Sequence, residues 1–169
     1  MNLNYINQID KIDFISSFEN IFEESKFITE IVETKRPFKN KDHMISNFLM
    51  IFDNLDQDIK INIIKKHPDL ADKVKINKGL SRLSDDEQSR SGLKDCTEDE
   101  FHMFQKLNYN FKEKFNIPFI LAVRNKNKNE IIEDFKNRLN NSDIEKEIEI
   151  SINQVRDIAK LRLEEIINE

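Results

Sequence analysis

Glycine, proline and tryptophan are scarce in this sequence: its 169 residues include two glycines, three prolines and no tryptophan. Because glycine and proline form most tight turns, few such turns are expected. Ile, Leu, Phe, Lys, Glu, Asp and Asn dominate instead, a composition typical of helices. Thirteen phenylalanines can fill much of an interior. The sequence therefore predicts an all-α fold, a single compact domain of about eight helices over residues 1–169.

Cysteine and histidine are also rare. Cys96 is the only cysteine, which excludes an intrachain disulfide and any zinc site built from several cysteines. His43, His67 and His102 lie far apart, and no pair of them has the spacing of metal ligands on one helix. We therefore expect no bound metal and a protein suited to a reducing compartment.

Long apolar runs and an excess of basic residues are missing as well. No run approaches the length of a transmembrane helix, and the first residues do not form a secretory signal. The formal net charge of −5 argues against general nucleic-acid binding, because proteins that track phosphates normally carry a net basic face. A local cationic pocket is compatible with this charge. We expect a cytoplasmic protein that binds neither a membrane nor nucleic acid.

Apolar residues recur at helical spacing over most of the chain. The stretches with this spacing are Phe14–Phe22, Phe27–Val32, Met44–Leu55, Ile59–Ile64, Phe101–Phe115, Ile131–Leu139 and Ile144–Ile166. A further short helix is expected between Ser84 and Gly92. Residues 118–124 hold the one continuous apolar run, which fits either a buried extended segment or one turn of a core helix.

Polar residues before several of these stretches are typical of helix N-caps. The expected caps are Asp42, Ser84, Thr97, and Ser142 or Asp143. Ser84 with Glu87, and Thr97 with Glu100, have the spacing of a capping box. Periodicity is lost over residues 72–83, where a loop is expected.

The junction of His67 and Pro68 is the first candidate for a reactive centre. Pro68 has no N–H, and its ring disfavours helical geometry at the residue before it, so the helix should end at Lys66 or His67. His67 would then lie among the unpaired carbonyls of a helix C-terminus, which can tune an imidazole near neutral pH. Most histidines at helix ends are structural, so this position alone leaves both roles open.

Two charged residues occupy unusual positions. Arg162 shares the apolar face of the last helix, so its guanidinium needs either a structural ion pair or an anionic substrate, unless it reaches the edge of that face. Glu87 either completes the capping box with Ser84 or points into a cleft near His67 as an acid or base. The residues alone do not choose between these alternatives.

Several short motifs occur in a specific order. They are His67-Pro68-Asp69-Leu70-Ala71, Ser84-x-x-Glu87-Gln88 with Gly92-Leu93, Leu107-Asn108, Phe115-x-x-Pro118-Phe119-Ile120 and Ile158-Ala159-x-Leu161-Arg162-Leu163. Together they resemble the 2-oxo-4-hydroxy-4-carboxy-5-ureidoimidazoline (OHCU) decarboxylase family, whose reaction completes the conversion of urate to allantoin. The likeness covers nearly the whole chain, since Ile21-Phe22-Glu23-x-Ser25 and Arg36-Pro37-Phe38-Lys39 also match.

The resemblance implies an all-helical, cofactor-independent decarboxylase, commonly a homodimer, that converts OHCU to (S)-allantoin. It implies that His67 and Glu87 are catalytic and that Arg162 holds the substrate. The implied substrate contacts are Pro68, Ser84, Asp85, Asp86, Glu87, Gln88, Phe119, Ile120, Leu121, Ala122, Val123 and Arg162.

The competing interpretation is a small helical binding or adaptor module. In such a module His67 ends a helix, Glu87 caps another and Arg162 forms an ion pair. Because amphipathic helices are commoner than active sites, the residues without the resemblance favour this module.

Overall fold

The computed structural model describes residues 1–71 and 81–168. Within these residues there are nine α-helices, one 3-10 helix and no β-strand, so the predicted all-α class is confirmed. The α-helices are α1 (Leu3–Gln8), α2 (Lys11–Phe18), α3 (Lys26–Glu33), α4 (Lys41–Asp53), α5 (Gln57–Lys66), α6 (Arg82–Arg90), α7 (Glu98–Phe115), α8 (Lys128–Leu139) and α9 (Ile144–Ile166). The 3-10 helix is Leu93–Asp95.

Capping side chains begin several of these helices. Thr97 forms the predicted capping box at the start of α7, and the side chain of Asp143 accepts a hydrogen bond from the Lys146 N–H (3.0 Å) before α9. The predicted cap Asp42 is wrong, because Asn40 has the extended backbone that a cap requires and accepts a hydrogen bond from the His43 N–H (2.8 Å).

Residues 1–63 and 155–168 belong to one compact unit. Its interior is built on phenylalanine pairs: the ring centroids of Phe14 and Phe18 lie 4.9 Å apart, and those of Phe22 and Phe52 lie 4.8 Å apart. Such pairs contribute about 0.5–1.5 kcal/mol each beyond the burial of their apolar area. The helix predicted from the Phe14–Phe22 spacing ends at Phe18, so Phe22 joins this core from the turn after α2.

The described residues of 64–154 belong to a second compact unit. The rings of Phe119 and Phe135 stack with their centroids 3.8 Å apart, and the ring of Phe111 contacts both at 5.2 and 5.7 Å. The apolar run at residues 118–124 is not helical, which excludes the alternative of one turn of a core helix. It packs against α7 and α8 through these rings.

Three further predictions concern the chain as a whole. The prediction of one domain over residues 1–169 stays a prediction. A loop was expected over residues 72–83, of which residues 72–80 lie outside the described residues. The end of this expected loop is wrong, because α6 already begins at Arg82. No helix in the described part of the chain is long and apolar enough to cross a membrane.

Candidate active site

The end of α5 places His67 at the start of a buried loop. The helix ends at Lys66, as Pro68 predicts, and the His67 N–H donates to the carbonyl of Ile64 (3.0 Å). His67 itself is 6% exposed, whereas Pro68 is half-buried. A histidine this buried on a helix end has its ring position set by the protein rather than by solvent.

The loop after His67 is fixed by side chains from two helices. Gln88 on α6 accepts from the Ala71 N–H (3.0 Å) and donates to the Asp69 carbonyl (3.5 Å). Asn108 on α7 donates to the Leu70 carbonyl (2.9 Å). Ala71 needs this support, because its φ of 53° lies in the left-handed region that disfavours residues with a Cβ.

Lys112 on α7 adds an ion pair to the same loop, since its Nζ lies 2.5 Å from Asp69 Oδ2. Asn108 and Lys112 lie one turn apart on α7, so one face of this helix holds two successive loop residues. The motif that begins at His67 is therefore a rigid structure held by α6 and α7.

The start of α6 differs from the prediction. Ser81 caps the helix by accepting from the Ser84 N–H (3.3 Å), so the predicted Ser84 cap and its capping box with Glu87 are wrong. The helix begins earlier than predicted because Ser81 already offers a capping hydroxyl in front of it. Glu87 is thus not needed for capping.

The predicted substrate contacts on α6 face different environments. Ser84 and Gln88, one turn apart, are buried. Glu87 is half-buried, Asp86 is exposed, and Asp85 pairs with Lys94 (2.6 Å). The buried face of α6 therefore presents Ser84 and Gln88 to the interior of this unit.

Side chains also hold the non-helical segment Phe119–Val123. The Ser91 hydroxyl, at the C-cap of α6, donates to the Val123 carbonyl (2.9 Å). Gln154 on α9 accepts from the Ala122 N–H (2.8 Å), and Arg138 on α8 donates to the Ile120 carbonyl (2.5 Å). Three elements thus fix a segment that has no strand partner in the described residues.

Arg162 belongs to the other unit and is almost completely buried at 3% exposure. Its Nη2 lies 3.0 Å from Glu23 Oε1, and its Nη1 donates to the carbonyls of Asn20 (2.9 Å) and Ile21 (3.4 Å). The structural ion pair considered for Arg162 is present. Its role as a substrate anchor stays a prediction.

Five residues of these networks were given no role from the sequence: Ser91, Asn108, Lys112, Arg138 and Gln154. The burial of Arg138 could have been predicted, because it lies three residues after Phe135 and so on the apolar face of α8. Arg162 has the same kind of position on the apolar face of α9. Hydrogen bonds to loop backbones have no comparable sequence signal. Among the described residues no group of three or more His, Cys, Asp or Glu side chains is placed to hold a metal ion.

The profile of the OHCU decarboxylase family matches residues 7–164 of this chain. The chain belongs to the OHCU decarboxylase family. The predicted family is therefore confirmed, and with it the carboxy-lyase class to which this family's named members belong.

Two curated relatives show how the matched region occurs in other proteins. The chain is 32% identical over 169 residues to the uric acid degradation bifunctional protein of Bacillus sp. (strain TB-90), but spans only 33% of its length. It is 27% identical to the 2-oxo-4-hydroxy-4-carboxy-5-ureidoimidazoline decarboxylase of Haloferax volcanii over 98% of this chain and 95% of that protein.

A solved structure extends the comparison to the fold. The crystal structure of (S)-allantoin synthase matches 99% of this chain and 54% of that chain, with a TM-score of 0.77 and 21% identity. At this identity the match shows the fold alone.

Proposed function

We propose that this chain decarboxylates OHCU to (S)-allantoin. The family match over residues 7–164 carries the proposal. The rigid setting of the His67 loop supports it, because general acid–base catalysis requires a positioned side chain. The same product appears in the name of the structurally similar (S)-allantoin synthase.

The substrate supplies much of the chemistry itself. OHCU carries a carboxylate and a hydroxyl on one ring carbon, beside a C=N carbon that bears the ureido group. When the bond to the carboxylate breaks and CO₂ leaves, the C=N bond accepts the electron pair and an enol-like intermediate forms. Protonation of the ureido-bearing carbon on one face gives the S enantiomer. No external electron sink is required for this route.

His67 and Glu87 are assigned to the proton transfers. His67 hydrogen-bonds the substrate hydroxyl and moves its proton, and Glu87 orients His67 or shares in the transfer. The capping of α6 by Ser81 supports this assignment, because a carboxylate in a capping box could not easily act in proton transfer as well. Either residue can deliver the proton to carbon.

The remaining assignments concern substrate binding. Arg162 anchors an anionic group, for which a planar guanidinium is suited, and Glu23 holds that guanidinium in a fixed orientation. Gln88, Ser84 and the backbone of Phe119–Val123 bind polar edges of the ring. Holding the substrate in one geometry contributes directly to the rate.

The chain is further proposed to act as a homodimer in the cytoplasm, as the resemblance implies. A sedimenting species of twice the 20.2 kDa chain mass would support the dimer. A monomer that is fully active would reject it.

The decisive test prepares fresh OHCU from urate with the two upstream enzymes. Its ultraviolet absorbance and the optical rotation of the product are then followed with and without this protein. Acceleration of the decay with accumulation of (S)-allantoin is expected. An unchanged rate together with racemic product would reject the enzyme and favour the adaptor module.

A further inference from the structure

Arg138 contacts the segment Phe119–Val123 in two ways. Its Nη1 donates to the carbonyl of Ile120 (2.5 Å), and its guanidinium carbon lies 4.5 Å from the centroid of the Phe119 ring. A guanidinium combines hydrogen bonding in its plane with stacking on its face, which a lysine ammonium cannot reproduce. Arg138 therefore fixes both the backbone and a side chain of this segment.

Arg138 is itself held on its other side. Its Nε and Nη2 lie 3.0 and 2.5 Å from Glu147 Oε1, and Nη2 lies 3.1 Å from the Ser151 hydroxyl. Glu147 is completely buried. Because the guanidinium is planar and bound along both edges, it has a single position between α9 and the segment.

Leu121 lies between the two backbone groups that side chains bind. The Ile120 carbonyl before it is bound by Arg138, and the Ala122 N–H after it is bound by Gln154. The backbone N–H and carbonyl of Leu121 make no hydrogen bond with any described residue, although Leu121 is buried, with only 8% of its surface exposed. Buried backbone groups require a partner, and a bound ring amide could supply both a donor and an acceptor.

We propose that Arg138 is a positioning residue that orients the Leu121 backbone toward the substrate ring, by holding the Ile120 carbonyl while Glu147 and Ser151 hold its guanidinium. The proposal rests on the proposed decarboxylation of OHCU. Arg138 acts through the backbone and does not touch the reacting atoms. Its loss should therefore weaken ring binding more than the chemical step.

If the ion pair of Arg138 and Glu147 only stabilised the fold, replacing both residues would leave substrate binding unchanged. Removing Arg138 alone would leave Glu147 buried without its partner, which strongly destabilises proteins whatever the role of the pair. Replacing both members by apolar side chains of similar size is often neutral. The double variant Arg138→Met/Glu147→Leu therefore separates the bond to Ile120 from the stability of the pair.

The experiment compares wild type, Arg138→Met/Glu147→Leu and Arg138→Lys. The matched control is Arg156→Gln/Asp53→Asn, which removes an exposed arginine–aspartate pair in the other unit. For each protein the measurements are the circular dichroism spectrum, the Tm, kcat, KM for OHCU, and the Kd for (S)-allantoin by calorimetry.

We expect the double variant to fold with kcat/KM reduced at least about tenfold, mostly through KM, and with the Kd for (S)-allantoin raised by a similar factor. Arg138→Lys, which keeps the charge opposite Glu147, should show the same KM effect and decides the matter if the double variant does not fold. The control should match wild type.

The results that would reject the role of Arg138 differ from those that would reject the proposed function. If wild type is active but the folded variants keep kcat/KM and Kd within about twofold of wild type, the role of Arg138 is rejected while the proposed function stands. A fall confined to kcat would equally overturn the positioning role. If wild type itself does not accelerate the reaction, the proposed function and this inference are both rejected.

Discussion

Glu87 and Gln88 are neighbours on α6 with different tasks. Gln88 is buried, and its amide binds the backbone of Asp69 and Ala71. Glu87 is half-buried, and its carboxylate takes no part in the capping of α6, which Ser81 provides. Gln88 thus holds the loop after His67, and Glu87 stays the candidate acid or base.

His67 is the residue on which the proposed chemistry depends most. We expect His67→Asn to lower kcat at least about a hundredfold with the fold intact, the usual scale for a general acid–base group. Steady-state kinetics with fresh OHCU and circular dichroism measure the two effects. His102→Asn, which changes an exposed histidine on α7, serves as the control. Near-normal turnover in a folded His67→Asn protein would remove His67 from the mechanism.

Two substitutions of Glu87 separate its possible roles. If Glu87 orients His67, Glu87→Gln should retain clearly more activity than Glu87→Ala, because an amide still forms a hydrogen bond. If Glu87 transfers a proton, both variants should lose about a hundredfold or more. Glu133→Gln, on the exposed side of α8, controls for the loss of one negative charge. Full activity in both Glu87 variants would exclude both the orienting role and the proton-transfer role.

Burial raises the pKa of the Cys96 thiol, although the nearby Lys128 opposes this shift. We expect alkylation by iodoacetamide to be slower than for a free cysteine near pH 8.5, because less thiolate is present. Because the thiol has a higher pKa in the folded protein than in the unfolded chain, Cys96 contributes to stability only while it is protonated. This contribution is complete below the pKa of the unfolded chain and is lost as the pH rises through the pKa of the folded protein. Alkylation as fast as that of an unfolded control peptide would contradict the shift.

At the scale of elements, the helix stripes were predictable and several helix starts were not. The spacing of Phe101, Phe104 and Phe111 predicted α7, because burying a phenylalanine stripe is a strong local constraint. The six-residue α1 is too short to show a period. Asn and Asp cap helices about equally well, so Asn40 and Asp42 could not be separated by residue type.

The cap of α4 gives a test at this scale. Asn40→Ala should lower the free energy of unfolding by about 1 kcal/mol, because the His43 N–H loses its partner. Asp42→Ala should cost less, about 0.3–1 kcal/mol, since Asp42 lies in the first turn, where a negative charge interacts favourably with the helix dipole. Urea denaturation of both variants measures the difference. A larger loss in Asp42→Ala would restore Asp42 as the cap.

At the scale of the whole molecule, the pair of Arg162 and Glu23 joins residues that are 139 positions apart in the chain. The apolar stripe of α9 predicted that Arg162 is buried, but local spacing contains no information on a partner so distant. The same reason explains why Gln154 and Arg138 were not predicted as neighbours of residues 119–123. What a helix buries can be predicted from sequence, whereas which element it meets depends on the fold.

Glu23→Gln tests the contribution of this pair. We expect the free energy of unfolding to fall by about 3–5 kcal/mol, because the buried Arg162 would lose the negative charge of Glu23. Asp53→Asn, in the exposed pair with Arg156, should cost less than about 1 kcal/mol. Chemical denaturation of the two variants under identical conditions provides the comparison. Equal losses would show that burial does not distinguish the pairs.

At Ala71, whose backbone is left-handed, relief of backbone strain and rigidity of the loop favour different residues. Glycine would adopt that conformation without steric cost, so Ala71→Gly offers an easy relief of local strain. It would also let the backbone after His67 sample more conformations. Substitutions selected for thermal robustness and those selected for turnover should therefore diverge at this position, a trade-off common where function requires a strained backbone.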